Sequence, residues 1–324
     1  MLSSPDPTIA EPDRSGKPRA ARAGPGKKPE WLKIRPPGGE RYAELKTQLR
    51  ERGLHTVCEQ ARCPNVEECW SGGTATLMIM GDTCTRGCSF CAVKTARLPA
   101  ALEPEEPGRA AQSVALMQLE YVVLTSVDRD DLPDGGAAHF AATVRAVRER
   151  NPDTLVEVLI PDFGGSEQAL ATLMASRPDV LAQNLETVER LTHPVRDPRA
   201  GYQTTLELLA RAKRLQPDAL TKSSIMLGLG ERPDELRAAM ADLRGAGVDF
   251  LTLGQYLAPS GRHRPVTRYV SPDEFDDWRD EGEAMGFRYV ASGPLVRSSY
   301  RAGEFAIRAV FDQRRQQTHT RRTA

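Results

Sequence analysis

The sequence has no apolar run near the ~20 residues needed to cross a bilayer, which excludes a membrane span. Its first 35 residues lack the apolar stretch of a secretory signal. Asp6, Glu11, Asp13 and Glu30 fall in that stretch, whereas a mitochondrial presequence is poor in acids. The expected setting is therefore cytoplasmic, with no membrane partner. Charge of one sign is also missing: 44 Lys and Arg face 44 Asp and Glu. A general nucleic-acid binder would be strongly basic, so nucleic acid is not an expected partner. No internal repeat is legible, and the composition (40% hydrophobic, 27% charged) excludes collagen-like, wholly disordered and disulfide-scaffold classes. What remains is a globular chain of 324 residues, long enough for a sizeable core.

Cysteine is absent from almost the whole chain. Six residues, Cys58, Cys63, Cys69, Cys84, Cys88 and Cys91, all lie within 34 positions. In a reducing compartment thiols stay thiols, and such clustering points to metal rather than disulfides.

Four regions are expected. Residues 1–30, rich in Pro, Ala, Arg, Lys and Ser, are a disordered arm. Residues 31–73 are an extension carrying the first three cysteines. Residues 74–291 are the core, and 292–324 a C-terminal extension ending in a polar, basic tail.

In the core, apolar runs alternate with amphipathic stretches. The strands expected are Thr74–Gly81, Glu120–Thr125, Leu155–Ile160, Val180–Asn184, Leu220–Leu227 and Phe250–Gln255. The helices expected after them are Ala110–Gln118, Ala137–Arg150, Glu167–Ser176, Tyr202–Gln216, Pro233–Ala246 and Pro272–Met285. Ser166 and Ser271-Pro272 are helix-start signals. Six strand–helix units mean a parallel sheet covered by helices. They are too few for an eight-stranded barrel, so an incomplete (β/α)6 barrel of TIM type is expected, in which Phe287–Ala291 adds an edge strand or lines the opening. Chemistry in such folds sits at the C-terminal ends of strands, and Cys84, Cys88 and Cys91 follow the first strand directly.

This second triplet has gaps of three and two residues. Three thiolates on one loop can hold three corners of an iron–sulfur cubane and leave the fourth iron open. An open iron can chelate an amine and a carboxylate, both of which S-adenosylmethionine offers, and electron transfer then releases a carbon radical. Structural zinc wants four nitrogen or sulfur ligands, and the triplet supplies three. The first triplet, with gaps of four and five, reads as a second cluster one ligand short, or as a zinc site completed by His55. Neither triplet matches the compact ferredoxin spacing.

The chain resembles the lipoyl synthase family of the radical S-adenosylmethionine superfamily over about residues 31–303. The likeness rests on Trp31-Leu-Lys33, the Cys58/Cys63/Cys69 triplet, Gly73-Thr-Ala-Thr76 and Gly81-Asp-Thr-Cys84-Thr-Arg-Gly-Cys88-Ser-Phe-Cys91. It continues through Thr125-Ser-Val-Asp-Arg-Asp-Asp131, Asn184-Leu-Glu-Thr-Val188, Gly228-Leu-Gly-Glu231, Gly254-Gln-Tyr256 and Gly293-Pro-Leu-Val-Arg-Ser-Ser299-Tyr.

The resemblance implies a sulfurtransferase with two 4Fe-4S clusters. Two sulfurs enter an octanoyl chain, at carbons six and eight, while the chain is amide-linked to a lysine of a carrier. Each insertion uses one S-adenosylmethionine. The cluster on Cys84, Cys88 and Cys91 makes the radical. The cluster on Cys58, Cys63, Cys69 and Ser299 donates sulfur and is consumed. Implied partners are an octanoylated lipoyl carrier domain or glycine-cleavage H-type protein, an electron donor such as ferredoxin or flavodoxin, and a cluster-assembly protein. Such unactivated methylenes have no acidic proton, so a radical is needed, shielded from water. A serine oxygen is a harder ligand than thiolate, which suits a corner meant to open.

Other candidates stay two-sided. Asp134-Gly135-Gly136 either receives the methionine amino end or makes a turn and cap. Asn184 and Glu186 either meet the ribose or carboxylate or serve a turn. By resemblance Gly228 and Glu231 lie beside the adenosine; Pro233 in the place of a third glycine rules out a dinucleotide loop. Phe90 packs near adenine or wedges its loop against the core. Gln183, where relatives often have His, and Arg264, where Leu is commoner, are expected to affect carrier docking. The rival readings are another sulfur-inserting radical enzyme similar to biotin synthase, and a noncatalytic iron–sulfur or zinc protein.

Overall fold

Each of the six apolar runs forms a strand and each is followed by a helix. In chain order they are β1 (Thr74–Ile79), α1 (Glu106–Leu116), β2 (Tyr121–Ser126), α2 (Ala137–Arg150), β3 (Leu155–Leu159) and α3 (Glu167–Met174). There follow β4 (Val180–Ala182), α4 (Tyr202–Leu215), β5 (Leu220–Leu227), α5 (Pro233–Gly245), β6 (Phe250–Gln255), α6 (Pro272–Ala284) and β7 (Tyr289–Gly293). The computed structural model describes residues 26–33 and 65–299, with Thr47, His55, Thr56, Ile307 and Phe311 as isolated positions. Among these residues no helix is long and apolar enough to cross a membrane.

Strand neighbours follow chain order from β1 to β7, and every one of those pairs is parallel. A two-residue strand, His55–Thr56, runs antiparallel along the free edge of β1. β7 is the additional strand expected near Phe287–Ala291; it pairs with β6 from Tyr289↔Phe250 to Gly293↔Gly254. The result is a central parallel sheet flanked by helices, as strand–helix alternation requires.

Strand residues are mostly buried on both faces, which explains the near-continuous apolar runs of β1, β2 and β4. The outer face meets the helices. Phe140, Val144 and Val147 of α2 and Leu170 and Leu173 of α3 pack with Leu124, Val156 and Leu251 of the sheet. The inner face has its own core, in which Tyr121, Val123, Leu155, Val180, Leu220 and Phe250 gather with Ile307. Lys222 of β5 reaches over β4 to Glu157 of β3, with both N···O distances at 3.0 Å. That contact crosses one intervening strand on the sheet's inner face.

Expected caps are made. Ser166 Oγ accepts the Ala169 N–H and Ser271 Oγ accepts the Glu274 N–H, each at 3.2 Å. Boundaries differ where tertiary contacts decide them. α1 begins at Glu106, four residues early, because Pro107 is tolerated in a first turn. β1 stops at Ile79, two residues early, because Met80 and Gly81 take φ of 66° and 86°. β4 stops at Ala182, although Glu186 still bridges Ile225.

Candidate functional site

Glu106 and Arg129 direct the turn off β1. Glu106 Oε2 accepts the Met80 N–H at 2.9 Å and faces His139 Nε2 at 2.6 Å. Arg129 Nη1 donates to Met80 O at 3.2 Å. With both backbone groups held, Met80 keeps its left-handed conformation, and the chain enters the cysteine loop at the C-terminal edge of the sheet. Gly136 makes room beside it: a Cβ there would lie 2.2 Å from Met80 Sδ, and its φ is 89°.

Loops from four other strands bind the cysteine loop. The Thr85 N–H donates to Asp128 O at 3.0 Å, and Thr85 Oγ1 donates to Asp130 Oδ2 at 2.7 Å. Gly87 N–H donates to Asp197 Oδ2 at 2.8 Å, and Ser89 N–H to Val195 O at 2.9 Å. From the far side, Arg264 N–H donates to Ser89 O at 2.9 Å, and His263 Nε2 lies 3.1 Å from Cys91 O. These contacts use Asp128 and Asp130 after β2, Val195 and Asp197 after β4, and His263 and Arg264 after β6. Arg86, itself in the loop, reaches Asp162 after β3 at 2.6 and 2.7 Å.

The sulfurs lie within this frame. Cys84 Sγ accepts the N–H groups of Arg86 and Asp128, both at 3.3 Å, and Cys88 Sγ accepts that of Asp197 at 3.3 Å. Burial, reinforced by the Asp128 carboxylate, pushes the Cys84 thiol up to about 11. Burial also pushes Cys88 up to about 11 and raises Cys91. Each thiol feels the charge of another: Cys84 that of Cys88, Cys88 that of Cys91, and Cys91 that of Cys84. The three are therefore near one another on the loop. Metal binding there would release the protons the thiols carry.

Two carboxylates also face the thiols. Asp128 Oδ2 is 3.6 Å from Cys84 Sγ. Burial raises its pKa, against the pull of Arg86. Glu186, at φ 70°, bonds to Asn184 Nδ2 at 3.1 Å. Its charge reaches Cys88 and Cys91, and burial raises its pKa. A cleft of about 180 Å³ opens beside Asp128, lined also by Arg86, Asp130, Gly135 and Phe163.

The remaining candidates divide. Asn184, Glu186 and Gly135 come to this end of the sheet. Phe90 is half-buried and packs against the outer core, as a wedge would. Asp134 spends both oxygens on the Gly136 and Ala138 N–H groups, at 2.9 and 2.8 Å, so it performs the cap. Glu231 accepts the Gly228 and Leu229 N–H groups at 2.7 and 2.9 Å and is buried, bracing the loop rather than facing outward. Gly228, at φ 95°, has no space for a side chain: its Cβ would lie 2.5 Å from Arg268 O.

Cys69 is buried on the short helix Val66–Ser71. Cys58 and Cys63 lie outside the described residues. Ser299 is half-buried, six residues past β7. Asn65 Nδ2, at the start of the Cys69 helix, donates to Leu295 O at 2.9 Å and ties that helix to the segment leading to Ser299. Gln183 is 2% exposed, and both its amide atoms lack a partner among the described residues. It is therefore buried within the chain and not presented to a docking partner. Arg264 is half-exposed on the loop covering the cysteines.

Reasoning from sequence missed Asp128, Asp162, Asp197, Arg86 and Arg199. The signal was available, because the three aspartates all follow strand ends.

Comparison with known proteins bears on the same segments. Residues 78–243 match the model for the radical SAM superfamily, and residues 4–63 match that for the N-terminal domain of lipoyl synthase of the radical SAM family. The second match reaches well into the segment expected to be an arm. The chain is 59% identical over 282 residues to lipoyl synthase of Thermus thermophilus, covering 87% of each chain. It is 59% identical over 288 residues to lipoyl synthase of Anaeromyxobacter dehalogenans, covering 89% of this chain and 98% of that one. It is 56% identical over 293 residues to the chloroplastic lipoyl synthase of Ricinus communis, covering 89% and 80%. Among solved structures, the FeFe-hydrogenase maturase HydG from Carboxydothermus hydrogenoformans aligns with a TM-score of 0.52 at 15% identity, over 84% of this chain and 72% of that one. That likeness concerns the fold alone.

Proposed function

The chain belongs to the lipoyl synthase family of radical S-adenosylmethionine enzymes, and from this we propose how its residues divide the work of inserting sulfur at carbons six and eight of an octanoyl chain carried on a lysine. The observation that carries the reading is the position of Cys84, Cys88 and Cys91: one loop, at a strand C-terminus, with sulfurs accepting backbone N–H groups at 3.3 Å. Such donors are typical of cluster ligands. Among the described residues no three thiol, imidazole or carboxylate groups converge on a single ion. A cubane gives each cysteine its own iron and does not need such convergence. When bound, a 4Fe-4S cluster supplies the electron that splits S-adenosylmethionine into methionine and a 5′-deoxyadenosyl radical.

The chain holds, orients and shields. Asp128 is the carboxylate beside Cys84 able to receive the methionine ammonium, while Asp134 caps α2. Gly135 keeps a side chain out of the cleft beside Asp128. The apolar inner core closes the N-terminal end of the sheet's inner face against water, which helps to keep a radical from quenching. We read the sheet as a six-unit partial barrel whose open side is bordered by β7.

The second 4Fe-4S cluster is a substrate here, because it is the source of the inserted sulfur. Its ligands are Cys58, Cys63, Cys69 and Ser299; the Asn65–Leu295 hydrogen bond, which draws the last two segments together, supports this. The carrier is a lipoyl domain or glycine-cleavage H-type protein. Electrons come from a ferredoxin or flavodoxin, a cluster-assembly protein rebuilds the donor, and the setting is the cytoplasm.

The test is an anaerobic reaction of the reconstituted chain with an octanoylated lysine peptide, strong reductant and S-adenosylmethionine, read by mass spectrometry. The dithiolated peptide is expected. Cys63→Ala should still release 5′-deoxyadenosine but insert no sulfur; full lipoyl product from that variant refutes the donor assignment. Asp128→Asn removes a charge-assisted hydrogen bond, generally worth about 1.5–3 kcal/mol. S-adenosylmethionine should therefore bind about ten- to a hundredfold more weakly, as equilibrium dialysis can measure, and unchanged affinity removes Asp128 from the site.

A further inference from the structure

Arg86 stands between two of the three cysteines yet turns away from them. It is 5% exposed. Its Nε lies 3.0 and 3.2 Å from the two Asp130 oxygens, and Nη2 lies 2.7 Å from Asp130 Oδ1. Nη1 and Nη2 reach the two Asp162 oxygens at 2.6 and 2.7 Å. Asp128 Oδ1 is a further 3.4 Å contact. Two carboxylates thus take bidentate forks from one guanidinium. A lysine ammonium, a point charge without that planar fork, cannot reproduce the arrangement.

The clamp joins the cysteine loop to the loops after β2 and β3. Arg199, after β4, adds a third tie through Asp130 Oδ2 at 3.1 Å and Thr85 O at 2.8 Å. The thiols themselves need not be ligated for any of these bonds to form. The charges do not balance: Asp128, Asp130, Asp162 and Asp197 face two guanidiniums, Arg86 and Arg199. Asp128 and Asp197 are also the residues whose N–H groups touch Cys84 and Cys88.

We propose that Arg86 is a positioning residue that folds the cysteine loop before a cluster arrives, and that its charge, set against the surrounding aspartates, tunes the potential of the cluster the loop then holds. The second half rests on the reading that Cys84, Cys88 and Cys91 are the ligands; the first does not. Ligand loops are often pictured as ordering around their metal. Here the order is written into an ion network that the protein completes by itself.

Hydrogen exchange on the full-length, metal-free chain tests the first half. Thr85, Gly87 and Ser89 amides should be protected in the natural chain, and Arg86→Gln and Arg86→Lys should both exchange there at least about tenfold faster. Natural-rate exchange in Arg86→Gln overturns the clamp. Potentiometric titration of the paramagnetic signal that responds to S-adenosylmethionine tests the second half. Arg86→Gln removes a positive charge and should lower the potential. Asp162→Asn removes a negative one while keeping the oxygen that accepts the Gly164 N–H, and should raise it. Each shift should reach about tenfold in the reduced-to-oxidised ratio at fixed poise, or about 59 mV for a one-electron couple. Arg86→Lys should stay near the natural value. Shifts of the same sign, or none, overturn the electrostatic role. Should Arg86→Gln not fold, Asp162→Asn decides alone, an unmoved potential counting against the proposal. A natural chain with no responsive signal refutes the ligand assignment instead, and the exchange result still judges the clamp.

Discussion

The Cys84→Ala chain should release no 5′-deoxyadenosine above background under strong reductant, while folding as before. Both halves follow from the bonds around this residue. The sulfur accepts two backbone N–H groups and lies 3.6 Å from Asp128, and on the proposed assignment its removal takes one of three protein ligands from the cluster and leaves two. The loop does not depend on the sulfur for its shape. Thr85, Gly87 and Ser89 are held by Asp128 O, Asp197 and Val195 O, and Arg86 is held by Asp130 and Asp162. Denaturant unfolding should accordingly move little. Iron analysis after reconstitution should fall by about four atoms per chain, one cubane. Cofactor cleavage at the natural rate in this variant would mean that the radical is generated elsewhere and that the two cysteine triplets have exchanged roles.

What the sequence made legible was local and periodic. Runs such as Tyr121–Ser126 have no polar face and so announce a strand covered on both sides. Ser166 and Ser271 announce helix starts because capping is settled within four residues. The cysteine spacing announces itself in the same way. The errors lie where distant residues decide. The helix expected from Ala110 begins at Glu106, which is held from outside by Met80 and His139. Asp134 and Asp128 are indistinguishable as letters: both follow β2. The difference is that Asp134 bends back to cap α2, whereas Asp128 is carried up to Cys84, forty-four residues earlier in the chain. The resemblance sets Glu231 beside the adenosine; in the structure it accepts the N–H groups of Gly228 and Leu229, which become close only once the turn has formed. The convergence of Asp130, Asp162 and Asp197 required knowing that successive strands of a parallel sheet deliver their ends to one edge.

A second large effect is expected far from the cysteines, at Lys222. Glu157 is 0% exposed and Lys222 3%. They meet at 3.0 Å above the apolar layer of the inner face, and Tyr121 OH donates to Glu157 Oε2 at 2.6 Å. A buried pair of this kind gains little over an apolar replacement, because both ions must be stripped of water. Breaking it is different: Lys222→Met leaves a carboxylate in the interior with a single phenol donor, and such a loss generally costs about 3–5 kcal/mol. Urea unfolding of the full chain should show a drop of that order. Adding Glu157→Gln removes the stranded charge and leaves an amide oxygen for Tyr121, so the double variant should recover most of the loss, with a coupling of up to about 3 kcal/mol. The pair also reports on the chemistry. If Lys222→Met costs less than about 1 kcal/mol, a value typical of solvent-exposed pairs, then water reaches Glu157. The sheet's inner face would then be open to water near its N-terminal end, and shielding of a carbon radical would rest on the C-terminal loops and the bound carrier.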